Sequence, residues 1–143
     1  MLYFLAPFIG WLVSGAMKFL IRFYQYGYKH ALRKIGNGGF PSTHATVVMT
    51  TTTLIGFNEG FFSPLVGLGI TILWVVGIDA IELRRYVGDH AKRLNNMNQI
   101  YINVDKFDSL REEVGHTKIE VIGGIILGFL LGLLLNSLES FIL

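Results

Sequence analysis

Two histidines far apart in the chain carry the neighbours that phosphoryl chemistry needs. His44 closes the run Gly38-Gly39-Phe40-Pro41-Ser42-Thr43-His44, a glycine-rich turn leading into a helix start. Free backbone N–H groups and the positive end of a helix dipole make such a place attractive to an anion. Gly39 belongs to that turn, and Ser42 and Thr43 add hydroxyl donors. His116 stands in Gly115-His116-Thr117-Lys118-Ile119-Glu120. Glu120 follows it by four residues, so the two share a face if the last helix begins here. A carboxylate bonded to one imidazole nitrogen fixes the tautomer and leaves the other nitrogen basic and aimed, as in a nucleophilic or general-base histidine. Each segment also has a plain structural reading, a capped helix start in one case and a surface His–Glu pair in the other.

Cations complete the set. Asp79 sits at the edge of an apolar run, where an ion needs a partner, and Arg84-Arg85 follow it; arginine forks bind phosphate with two hydrogen bonds. Lys18 lies about one turn inside the end of the first apolar segment, so it must turn toward an anion in the bundle or snorkel to the interface. One histidine attacking phosphorus and one protonating the leaving oxygen need only such a cationic cradle. The scheme calls for no metal and no cofactor. The sequence has no P-loop and no His-x-x-x-His pair, and without cysteine it has no thiol chemistry and no disulfide framework.

The elements that must position these residues are membrane helices. The chain is 52% hydrophobic and 15% charged, far from the composition of a soluble domain. A bilayer core of roughly 30 Å takes about 20 apolar residues in a helix. Four stretches approach this: Leu2 to about Phe23, Ala45 to about Phe57, Phe61 to about Ile81, and Ile119 to about Leu135. The first is read as a retained span and not a signal peptide. The second is short and rich in threonine (Thr50 to Thr53), which suits the inside of a bundle. In the last, Gly124, Gly128 and Gly132 recur every four residues and invite close helix packing. Tyr24 to Pro41 reads as an interfacial segment, and Glu82 to Lys118 as a polar connection that is helical in part. The fold class is therefore all-α: a single domain over 1–143, a polytopic bundle of about four transmembrane helices with interfacial or cytoplasmic helices.

If the spans alternate, all 12 Lys and Arg residues fall on or near one face. The positive-inside rule makes that face cytoplasmic and puts both termini outside. This describes a multi-pass protein of the cell (inner) membrane.

Taken in order, these residues resemble the divergent, small-protein branch of the type 2 phosphatidic acid phosphatase superfamily, relatives of lipid phosphate phosphatases and vanadium haloperoxidases. The resemblance covers nearly the whole chain: Lys18, then Gly38 to His44, Asp79-Ala80 with Arg84-Arg85 and Gly88, Asn95, and Gly115-His116 with Glu120-Val121 and Gly123-Gly124. It implies a metal-independent phosphatase with His116 as nucleophile, Glu120 orienting it where the family usually has Asp, and His44 protonating the leaving group. Lys18 and Ser42 match motif positions, and Thr43 stands in place of a glycine. No Arg-Pro follows Lys18 at the usual spacing; Arg33 is one candidate for that arginine. Arg111 is out of step with the arginine expected before His116, so Arg84 or Arg85 would supply that charge. The function expected is hydrolysis of a membrane lipid phosphate or diphosphate on the cytoplasmic face, with the bilayer and the lipid as partners and no nucleic acid. A non-catalytic protein that binds lipid phosphates or acts as a scaffold is the alternative. A transporter is a weaker third reading, since it would have to oligomerise and no inverted repeat is visible; the oligomeric state, including a homo-oligomer, is open.

Overall fold

The computed structural model describes residues 2–28, 38–101, 109–112 and 114–142. Lys29, Arg33, Lys34 and Lys106 lie outside them. The elements are α1 (Leu2–Tyr26), α2 (Thr43–Glu59), α3 (Pro64–Ile78), a π-helical turn (Asp79–Leu83), α4 (Arg84–Tyr101) and α5 (Lys118–Ile142), and no strand occurs among the described residues. This is an all-α membrane bundle. Among the described residues, three helical runs are long and apolar enough to cross a bilayer: α1, the continuous run from Pro64 to Met97, and α5. The expected fourth span, α2, has 17 residues and rises about 26 Å. It packs against α1, α3 and α5.

The boundaries follow local chemistry. Helix α3 starts at Pro64, after the Phe61 expected, because the Ser63 hydroxyl accepts from the Val66 N–H at 3.4 Å and Pro64 takes the first turn. Helix α5 runs past Leu135 to Ile142. No Gly or Pro interrupts its end, and the Ser137 and Ser140 hydroxyls bond back to the Leu133 and Asn136 carbonyls, both at 3.0 Å.

Lipid tails are as apolar as leucine, so burial of apolar surface does not drive these helices together; close packing of small residues does. The glycine stripe of α5 lies on the backbone of α2. A Cβ on Gly124 would stand 2.4 Å from the Ser42 carbonyl oxygen, one on Gly128 would stand 2.7 Å from the Thr46 carbonyl, and one on Gly132 would stand 2.5 Å from Thr53 Cβ. Three buried threonines of α2 satisfy their hydroxyls one turn back, Thr46 to the Ser42 carbonyl at 2.9 Å, Thr50 to the Thr46 carbonyl at 2.7 Å and Thr52 to the Val48 carbonyl at 2.8 Å. The buried Thr53 hydroxyl has no hydrogen-bond partner among the described residues.

The chain alternates in direction, and the two ends of the bundle differ. At one end Tyr3 donates to Glu59 at 3.4 Å and Asn58 to Glu139 at 3.0 Å. The other end gathers the C-termini of α1 and α3 with the N-termini of α2 and α5, and all the candidate site residues. Overpacking a tight contact costs about 1–3 kcal/mol, so Gly128→Leu is expected to lower the Tm in detergent by several degrees. Gly15→Leu, where an added Cβ meets nothing within 4 Å, is expected to leave it unchanged.

Candidate functional site

Three segments are stitched together by backbone bonds at the end that holds the histidines. The Ser42 N–H donates to the Glu120 carbonyl at 2.8 Å, and the His116 N–H donates to the Ala80 carbonyl at 2.9 Å. The first bond sets the start of α2 beside the start of α5. The second ties the loop before α5 to the π-helical turn that ends α3. Glycines allow the approach: Gly115 has φ +101°, and a Cβ there would stand 3.2 Å from both the Ala80 oxygen and the Arg85 nitrogen. Gly38 lies against the Gly115 carbonyl, where a Cβ would come within 2.7 Å.

The His116 side chain is held by Glu120. Its Nδ1 is 3.0 Å from Glu120 Oε2, and the same oxygen accepts from the Thr117 N–H at 2.9 Å. The Thr117 hydroxyl in turn accepts from the Glu120 N–H at 3.3 Å, which completes a capping box at the start of α5. Glu120 thus both starts a helix and fixes an imidazole. With Nδ1–H donating to the carboxylate, Nε2 carries the free lone pair. The side chain is 6% exposed. Burial pushes His116 below the ordinary histidine value, against the upward pull of its bond to Glu120, and the charges of Lys18 and Arg84 act in the same direction as burial.

His44, in the first turn of α2, is exposed, and it feels the charges of Arg84, His116, Lys18 and Asp79. Arg84 is oriented by Asp79, Nε to Oδ2 at 2.7 Å, which leaves its terminal Nη pair for a second anion. Lys18, half-buried on α1, feels Arg22 and Glu120. Lys18, His44, Asp79, Arg84, His116 and Glu120 therefore form one electrostatic group, at which two helix N-termini point their positive ends. Ser42 is buried, and its hydroxyl accepts from the Ala45 N–H at a long 3.5 Å, as the cap of α2. Thr43 is half-buried at the first position of that helix. Arg85 stands apart from this group: its stem lies against Gly115 and its charge is exposed, whereas Arg84 bears on both histidines.

Sequence reasoning passed over Arg22. It follows Lys18 by four residues on α1, which places both on one helix face. Its guanidinium donates to the Gly38 carbonyl and lies over Gly39, where a Cβ would be 3.0 Å away. Gly39, with φ +106°, makes room for it. Arg22 also walls a cleft of about 450 Å³ bounded by Tyr26, Phe40, Gly115 and Glu120. Asn95 has a positioning part. Its amide bonds both the N–H and the C=O of Leu110 at 2.8 Å, and Glu112 at the same distance, so α4 holds the segment that leads to Gly115. Arg111 is exposed on that segment.

This geometry can be set beside known proteins. A family model described as "Divergent PAP2 family" matches residues 2–131. The chain belongs to the divergent PAP2 family. Among curated proteins, this family member is similar to the uncharacterized membrane protein YuiD of Bacillus subtilis (strain 168), with 30% identity over 112 residues, covering 68% of this chain and 70% of the relative. No solved structure matches it. That relative is named a membrane protein, and this divergent PAP2 protein is a multi-pass membrane protein.

The depressed pKa of His116 has a consequence for stability. The unfolded chain takes up the proton near the ordinary value of about 6.5, and the folded chain only at lower pH. The unfolded state therefore holds more protons as pH falls through 6.5, and stability falls with it. Thermal unfolding in detergent between pH 8 and pH 5 is expected to show a larger loss for wild type than for His116→Gln.

Proposed function

We propose that this divergent PAP2 protein hydrolyses a membrane lipid phosphate or diphosphate through a phosphohistidine at His116. The observation that carries the reading is the pairing of His116, backed by Glu120 at 3.0 Å, with a second histidine that shares its electrostatic surroundings. The lone pair on His116 Nε2 attacks phosphorus, and the bond from phosphorus to the lipid oxygen breaks. Protonated His44 gives its proton to that oxygen, so a lipid phosphate releases the neutral alcohol and a lipid diphosphate, attacked at its terminal phosphorus, releases the lipid monophosphate. His44, now neutral, takes a proton from water, and the resulting hydroxide attacks the phosphohistidine. The P–N bond breaks, inorganic phosphate leaves, and His116 is restored. Lys18 and Arg84 hold the equatorial oxygens, where charge builds in the transition state. Asp79 keeps Arg84 aimed, and the helix start at Thr43 adds backbone donors. Arg22, one turn from Lys18, supports the glycine turn around Gly39. Arg85 lends its charge from the rim.

The chemistry takes place on the cytoplasmic side of the cell membrane, with both termini outside. The one-sided distribution of the 12 Lys and Arg residues in the sequence supports this orientation.

Phosphate release from long-chain lipid phosphates by the purified protein tests the mechanism. His116→Ala is expected to abolish turnover, and His44→Ala to lower kcat by about 10²- to 10⁴-fold. A His116→Ala variant as active as wild type would refute the phosphohistidine. Phospholipid binding without turnover, unaffected by either change, would instead mark a non-catalytic lipid-phosphate binder. A cysteine engineered at position 98 is expected to react with impermeant reagent only from the cytoplasmic side; labelling from outside alone would reverse the orientation.

A further inference from the structure

Helices α3 and α5 both pack on α2, and a lateral groove of about 270 Å³ runs between them. Its floor is Leu73, Ile81 and Ile125, which pack against the buried Ala45, Ala80 and Val121. Each of those three small or branched residues adjoins the site described above. Ala45 follows His44, Val121 follows Glu120, and Ala80 follows Asp79 and gives its carbonyl to the His116 N–H. The floor of the groove is therefore the reverse side of the layer that carries the histidines.

The groove is graded along its length. From Ile70 to Ile81 it is apolar, a stretch of about 16 Å along the helix. Its polar residues, Glu82 and Lys118, stand where α3 ends and α5 begins, at the end nearest the site. Ile70 and Ile78 on its wall are more than 40% exposed, as side chains facing lipid are. A groove that is apolar along α3 and open to the bilayer, with Glu82 and Lys118 at the end nearest the site, matches a molecule with a hydrocarbon chain and a polar head whose anion Lys118 can meet.

We infer that this groove holds a hydrocarbon chain of the lipid whose phosphate His116 attacks, so that substrate reaches the histidines from within the bilayer, between α3 and α5. The assignment rests on the phosphatase reading for the role of the head, but the place of the chain can be tested apart from turnover. Gly77 lines the groove, and a Cβ built on it meets nothing within 4 Å. A Gly77→Phe side chain therefore fills the groove without forcing the helices apart. Gly67, on the same helix and equally open, gives the control Gly67→Phe.

The experiment uses the full chain in nanodiscs with a single-chain lipid phosphate that carries a diazirine at mid-chain. Photolabelling is expected to concentrate on Leu73, Trp74 and Ile125 in wild type and in Gly67→Phe, and to fall at least fivefold there in Gly77→Phe. In parallel, Gly77→Phe is expected to raise KM for the long-chain lipid phosphate about tenfold while hydrolysis of water-soluble p-nitrophenyl phosphate stays within twofold. Labels spread evenly over the lipid-facing side chains, or groove labelling untouched by Gly77→Phe, would overturn the assignment. Groove labelling that responds to Gly77→Phe in a protein that hydrolyses neither compound would uphold it and count against the phosphatase reading instead.

Discussion

Everything at the site depends on how closely the backbones of α2 and α5 meet. The bond from the Ser42 N–H to the Glu120 carbonyl brings two helix N-termini to one place, and the glycines at 124, 128 and 132 keep the helices in contact below it. In a bilayer no solvent drives this association, so it rests on dispersion between closely approaching backbones. Two positive helix ends side by side repel each other and favour an anion between them. The fold thus carries at this point a local field that a phosphate would relieve.

The π-helical turn at Asp79–Leu83 performs a second positioning task. Wide turns of this kind interrupt the regular ladder and occur often at functional sites. Here the Ala80 carbonyl reaches out to the His116 N–H, and the turn joins Asp79 to Arg84 across five residues. The same turn therefore steadies the histidine loop and aims a guanidinium. The segment that precedes the loop is held from α4 by Asn95, so the approach to His116 is ordered by residues that touch neither histidine.

Concentrating cations at one end of the bundle also suits the membrane. Lys and Arg at mid-bilayer are costly, whereas near the interface their stems lie in the apolar region and their heads reach water or an anion. A lipid phosphate sits at that depth, with its chains below and its charge above. The proposed chemistry and the cheapest location for the charges coincide.

The sequence by itself determined the helical membrane class, a cap at Ser42 or Thr43 and the pairing of His116 with Glu120, because each depends on local spacing or on composition. Interaction across four residues of one helix turn is fixed by helix geometry alone, and Lys18 with Arg22 was open to the same logic, though Arg22 drew no notice without a motif around it. Only the tertiary structure decided that Arg84 and not Arg85 bears on both histidines, since two adjacent residues point about 100° apart on a helix and a π turn shifts that register. It alone decided that α2 packs against α1, α3 and α5, that the Ala80 carbonyl serves His116, and that a groove lies between α3 and α5. Those outcomes come from long-range packing between helices, where the relevant distances join residues dozens of positions apart and no local pattern records them.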